Sequence, residues 1–174
     1  MLATALLLTL AAPAALAADP LAPVRQGMLQ CYDPVPAQKL CRAIGAYEFG
    51  PDGSILNTAE TRLQDSPAII MFARSKVVLR DGKECSVEAV KPTDIDRIEI
   101  DGQPLPPDAL ETVRTQIVAG LPEILTGGQP LCSTYPAKAD GPMQVTVEVG
   151  GVAHPELTST VLWVRPADGW KVTP

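Results

Sequence analysis

The sequence predicts an α+β domain: an antiparallel, hairpin-rich sheet of about 7–9 strands, one long helix packed on one face, and a short N-terminal helix. Three observations predict it. Five Asp-Gly dipeptides divide the chain, and Asp-Gly between apolar runs is a strong hairpin signal because both residues tolerate positive φ. Several of the runs between them alternate apolar and polar residues, the mark of a half-buried strand. A single long stretch carries apolar residues at helical spacing instead.

In chain order, Pro23–Gln30 reads as the short helix, with Val24 and Met28 inward. Ala43–Phe49 is a strand, and Ser54–Leu63 returns from it after Gly50-Pro51-Asp52-Gly53. Ala68–Arg80 is long and meets Lys83–Val90 across Asp81-Gly82. Arg97–Asp101 sets Ile98 and Ile100 against Glu99 and Asp101. Pro107–Leu121 is the long helix: Pro sits at its first position, Asp108 and Glu111 lie where the helix dipole favours acids, and Leu110, Val113, Ile117 and Leu121 form one stripe. Gly120 and Pro122 end it. Met143–Val149 alternates most cleanly, with Met143, Val145, Val147 and Val149 on one face. Leu157–Arg165 and Trp170–Thr173 flank Pro166-Ala167-Asp168-Gly169 as a final hairpin. The stretch from Val161 to Val172 is similar to the closing hairpin of cystatin-like and nuclear-transport-factor-like α+β domains, over these dozen residues, and that likeness carries no function across. A β-sandwich or half-open barrel with one appended helix is the alternative architecture.

The chain has 174 residues, enough for one domain after a leader is removed. Residues 1–17 are uncharged, with 14 of them apolar, and end in Ala15-Leu16-Ala17, an A-x-A cleavage pattern. Pro13 and the brevity of the run argue against a spanning helix. No Lys or Arg precedes the run, which a start placed too late would explain. The expectation is therefore a signal peptide over 1–17 and a single disulfide-stapled domain over 18–174, periplasmic or secreted and free of the membrane after cleavage.

All four cysteines, Cys31, Cys41, Cys85 and Cys132, follow the leader. An even number in a small exported domain reads as two disulfides, and Cys31–Cys41 with Cys85–Cys132 is the favoured pairing among three. No C-x-x-C occurs, and one histidine leaves little for a Cys/His metal site.

A net charge of −6 without a Lys/Arg cluster excludes an electrostatic footprint for nucleic acid or anionic membranes, and seven aromatics make no base-stacking surface. His154 stands in a Gly-rich loop and reads as an ordinary polar loop residue, since no G-x-S-x-G accompanies it. Asp94, Asp96, Glu99, Asp101, Asp108 and Glu111 invite a calcium site, but an EF-hand loop would need an oxygen ligand and a Gly where Ile98 and Glu99 stand. They read as a solvated strand face. Asn57 shares the parity of Ile55 and Ala59, so it is a buried polar residue with a backbone partner. Trp163 and Trp170 read as cross-strand packing at the final hairpin. Gly127-Gly128 lacks any phosphate-cradle context. No catalytic, cofactor-binding or metal-binding residue is assigned, no cofactor is expected, and the sequence sets no oligomeric state. The expected function is non-catalytic binding of a protein, peptide or small ligand; a small hydrolase or isomerase using acidic pocket residues, or an extracellular hydrolase inhibitor, is the alternative.

Overall fold

The computed structural model describes residues 19–136 and 141–173. The leader at residues 1–17 and Asp140 of the fourth Asp-Gly turn lie outside the described residues.

Two facts of sequence dominate the result: β-branched and aromatic residues fill the runs, and Asp-Gly joins them. Asp81-Gly82 (φ +50° and +73°) and Asp101-Gly102 (φ +49° and +75°) both take the paired positive φ of a two-residue hairpin turn. The strands are β1 (Leu29–Tyr32), β2 (Ala43–Phe49), β3 (Ile55–Gln64), β4 (Ile69–Arg80), β5 (Lys83–Ser86), β6 (Ile95–Ile100), β7 (Gln103–Pro104), β8 (Leu131–Thr134), β9 (Met143–Val149), β10 (Val152–Ala153) and β11 (Ser159–Val164). The α-helices are α1 (Ala22–Arg25), α2 (Pro107–Ala119) and α3 (Glu123–Thr126).

Eight strands close on themselves in the order β3-β2-β1-β11-β9-β8-β5-β4, and β4 pairs back with β3. β6, β7 and β10 lie outside this circuit, and every pairing between strands is antiparallel. The molecule is thus a closed antiparallel barrel. This overturns the expected α+β sheet with one long helix packed on its face. The barrel alternative comes closer, although this barrel is fully closed. Turn and alternation signals act between neighbours in sequence, whereas closure depends on remote pairs: Leu29 opposite Val164 in β1 and β11, and Cys85 opposite Cys132 in β5 and β8. Closure removes the exposed edges an open sheet would present.

Most element ends shift by one or two residues, and three departures are larger. Gly27 at φ +82° stops α1 after one turn, so Gln30 belongs to β1 and not to a helix. β5 ends at Ser86, short of Val90. The final hairpin is absent: after β11 a single 3-10 turn leads to Lys171, which makes one isolated parallel bridge to Leu40. β8 was not anticipated.

Inside and outside faces follow strand parity. α1 stops one end of the barrel, where Leu21 and Val24 pack on inward Ile55 and Val77 with Phe49, Leu79 and Trp163 around them. Met143, Val145 and Val161 fill the β9–β11 wall from within. A second core lies outside the barrel: Cys31 and Val164 face outward and are covered by Cys41 and Trp170. Both cysteine pairs stand as disulfides, Cys31 with Cys41 (Cα–Cα 5.3 Å) and Cys85 with Cys132 (Cα–Cα 4.0 Å).

Candidate functional site: a seam in the barrel and a tyrosine cluster beside it

Small residues open space inside the barrel. Gln30, Gly45, Ala59 and Ala73 lie opposite one another across β1, β2, β3 and β4, and the next inward row is Tyr47, Asn57 and Ser75. An eight-stranded barrel has an interior just wide enough to be filled by side chains or to hold one small ligand. Ala59 and Ala73 leave room on the β3–β4 side of this row, whereas the space over Gly45 is taken up by Gln30 and Asn57.

The wall also parts. β4 pairs with β3 on one flank, but on the other it divides its twelve residues between two strands: Ile69–Ala73 with β6 and Val77–Arg80 with β5. Arg74, Ser75 and Lys76 have no strand on that flank. At this seam lies a cleft of about 580 Å³. Its inner side is Asn57, Ala59, Met71, Ala73, Ser75 and Ser86, and Val90 and Ile95 border the gap. Ile117 and Leu121 from the α2 stripe and its extension, with Leu125 of α3, cover it. No residue of α2 or α3 is fully buried, so both helices lie over the opening with their apolar sides half exposed to it.

Four charged residues also touch the cleft, and each is already engaged. Arg74 meets Asp96 at 3.0 Å, and Lys76 meets Glu88 at 3.7 Å. Glu88 also takes Lys91 at 3.2 Å, and this hydrogen bond holds its carboxyl below the ordinary value, aided by the Lys76 charge. Asp94 accepts the Lys91 backbone N–H at 2.8 Å.

Next to the cleft, all three tyrosines of the chain converge on Gln30 and Glu84. Tyr47 and Tyr135 donate to the two Glu84 carboxyl oxygens, each at 2.6 Å. Tyr32 donates to Gln30 Oε1 at 2.8 Å, and Gln30 Nε2 donates to the Tyr135 oxygen at 2.8 Å. The Tyr47 oxygen lies 2.7 Å from Gln30 Oε1 as well, so its one proton serves two acceptors in turn. Gln30 is completely buried and Glu84 nearly so. Gly45 makes the approach possible, because a Cβ there would stand 3.1 Å from Gln30 Oε1 and 3.3 Å from Asn57 Nδ2. Burial pushes all three phenols up, and the nearby Glu84 charge adds to this; Tyr47 and Tyr135 are raised further by their neighbours in the cluster. Phenols held neutral in this way brace the barrel and are poor bases or nucleophiles. None of the five residues lines the cleft, although Asn57 borders both.

The residues singled out from sequence are dispersed. Asn57 is half-buried and its Nδ2 donates to the Ala46 carbonyl at 3.3 Å, the backbone partner expected of it. His154 does not line the seam cleft but a separate recess of about 390 Å³ between α3 and the β9–β10 hairpin, with Nδ1 2.7 Å from Glu156. The acidic stretch does not converge. Asp96 pairs with Arg74, Glu99 with Arg97 at 2.7 Å, Glu111 with Arg114 at 3.7 Å, and Asp101 accepts the Ala68 N–H. The tryptophans do not pack on each other: Trp163 faces inward with Tyr135 at 5.6 Å between ring centroids, while Trp170 covers the outer disulfide. What sequence reasoning missed is Gln30, Glu84 and the three tyrosines. One trace was available, since Gly45, Tyr47 and Phe49 share a parity and leave a gap beside a phenol.

No family model, no curated relative and no solved structure matches the chain.

Proposed function

We propose that this is an exported, non-catalytic binding protein whose seam cleft holds one small, largely apolar molecule. The observation that carries the reading is the cleft itself: about 580 Å³, within the usual range for small-ligand sites, walled by aliphatic side chains with a few hydrogen-bonding groups on its inner side. Two disulfides support an oxidising, exported setting, as does the leader at residues 1–17. The hydrolase or isomerase reading has no comparable support, because the acids at the cleft are ion-paired or bound to backbone and the buried Glu84 is held by phenols away from it.

The test is saturable binding of an apolar fluorescent probe, N-phenyl-1-naphthylamine, to wild type and to Ala73→Trp. Ala73 lies on the inner side of the cleft, where an indole would fill the space. The expected result is a bright, saturable signal in wild type that the substitution abolishes while the far-UV spectrum stays native. Absence of saturable binding in wild type refutes the reading. Export is checked by intact mass, expected to correspond to a chain beginning at Ala18 or within a residue or two of it; retention of residues 1–17 counts against it.

A further inference from the structure

The lining of the cleft selects among apolar ligands, and we infer that it takes an uncharged amphiphile: a flexible aliphatic chain carrying a neutral hydrogen-bonding head, of the long-chain alcohol or monoacylglycerol kind. This inference rests on the binding role proposed above and narrows it to a chemical class.

The two sides of the cleft differ in chemistry. Asn57 and Ser75 are opposite each other on β3 and β4, and Ser86 is one diagonal step away, opposite Val77 on β5. All three line the cleft from its inner side. Among the described residues, no side-chain hydrogen bond engages Asn57 Oδ1 or the hydroxyls of Ser75 and Ser86, so the inner side offers one carbonyl and two hydroxyls to a guest. The opposite side, Ile117, Leu121 and Leu125, is aliphatic. A guest therefore meets three hydrogen-bonding groups set among Ala59, Met71 and Ala73 on the inner side, and hydrocarbon alone from the two helices.

Charge decides against an ionic head. Arg74 and Lys76 are neutralised by Asp96 and Glu88, and the cleft's own charges are two of each sign, with Asp94 the fourth. A carboxylate or ammonium moved from water to the inner side would face only uncharged partners, and burying an unpaired ion is costly. A neutral hydroxyl or ester loses far less and regains hydrogen bonds. The lining contains no aromatic residue, so a ring system is held there only by the area it buries and gains nothing from stacking, whereas a bending chain can follow the mixed Leu, Ile, Val, Met and Ala walls.

The experiment is calorimetric titration of the wild-type protein with monolaurin, laurate and dodecyltrimethylammonium, which share a chain and differ in head charge. Monolaurin is expected to bind about tenfold or more tightly than either ion. In Ser75→Ala/Ser86→Ala the advantage is expected to shrink to about threefold or less, through weaker monolaurin binding and at an unchanged melting temperature. Equal affinity for all three probes overturns the head-group inference while leaving the binding role intact. Tighter binding of laurate overturns it in favour of an anionic ligand. No binding of any of the three, with the fluorescent probe still bound, overturns the aliphatic class. Failure of the fluorescent probe as well overturns both readings.

Discussion

The four-residue helix α1 and the thirteen-residue helix α2 do opposite things on one barrel. α1 is a single turn, yet Leu21 at its N-cap is wholly buried and Val24 nearly so, against Ile55 and Val77. α2 is three times longer and buries no residue completely. Length alone would assign the stability to α2. Burial reverses this, because the hydrophobic contribution follows the area removed from water, about 25 cal/mol per Å². The end at α1 is stopped and braced by the tyrosine cluster; the seam under α2 is underfilled. A protein that keeps an apolar stripe over a cleft forgoes stabilisation there, and the binding role proposed above would put that cleft to use.

The largest expected effect breaks the braced half. Phenols ordinarily titrate near 10, and burial holds Tyr32, Tyr47 and Tyr135 above that value in the folded protein. The folded chain therefore keeps protons that the unfolded chain releases. The stabilisation is fully present below about pH 10 and is lost as pH rises beyond it, at about 1 kcal/mol per tyrosine per pH unit while the folded phenols remain neutral. Melting temperature should be flat up to about pH 9 and then fall steeply, with phenolate absorbance appearing together with loss of the far-UV signal. Phenolate absorbance at about pH 11 in a chain that remains folded would show that the cluster is open to solvent.

Next in size is Leu21→Ala, expected to cost about 3 kcal/mol because the surrounding side chains belong to a rigid barrel wall and cannot collapse onto the gap. Chemical denaturation measures it. If the loss is below about 1 kcal/mol, α1 does not seal the barrel and the contrast with α2 disappears.

How much of this the sequence revealed depends on the distance over which each signal acts. β2 and β9 are legible to the residue, because alternation and bounding turns are local properties of Ala43–Phe49 and Met143–Val149. α2 is legible from its Pro start and its stripe, although where the helix sits is not. Closure is illegible because Leu29 and Val164 lie at opposite ends of the chain and nothing local marks them as partners. The tyrosine cluster is hidden for the same reason: Gln30, Tyr47, Glu84 and Tyr135 come from four separate segments, and only the finished barrel places them together. The cleft is a further step removed. It depends on β4 changing partners at Arg74–Lys76, which a uniformly strand-like run does not disclose.

Ile117→Ala sharpens the comparison from the other side. The same kind of truncation that costs about 3 kcal/mol in α1 should cost about 1 kcal/mol here, because Ile117 is half exposed to an open cleft and already lacks part of its contacts. Its effect on probe binding should exceed its effect on melting. A cost near that of Leu21→Ala would mean that α2 is a structural element and that the cleft closes in solution.

The smallest expected effect is that of His154→Ala. The imidazole is about one-quarter exposed, and its Nδ1 stands 2.7 Å from Glu156, whose own side chain is largely in solvent. The hydrogen bond from His154 holds the Glu156 carboxyl below its ordinary value, so the two form a pair, but one that water and salt screen. Substitution removes that pair and one wall of the recess by α3, and leaves the backbone bond from His154 N–H to the Val147 carbonyl in place. Stability should change by no more than about 0.5 kcal/mol, the usual range for surface positions. Probe binding at the seam should not change, since His154 does not line that cleft. A proton-transfer role would instead be worth about 10²–10⁴-fold in a rate. Loss of function at an unchanged melting temperature would therefore move the working site from the seam to the recess under α3, and a lowered melting temperature alone would show that the hydrogen bond between His154 and Glu156 ties the β9–β10 hairpin down more firmly than its exposure suggests.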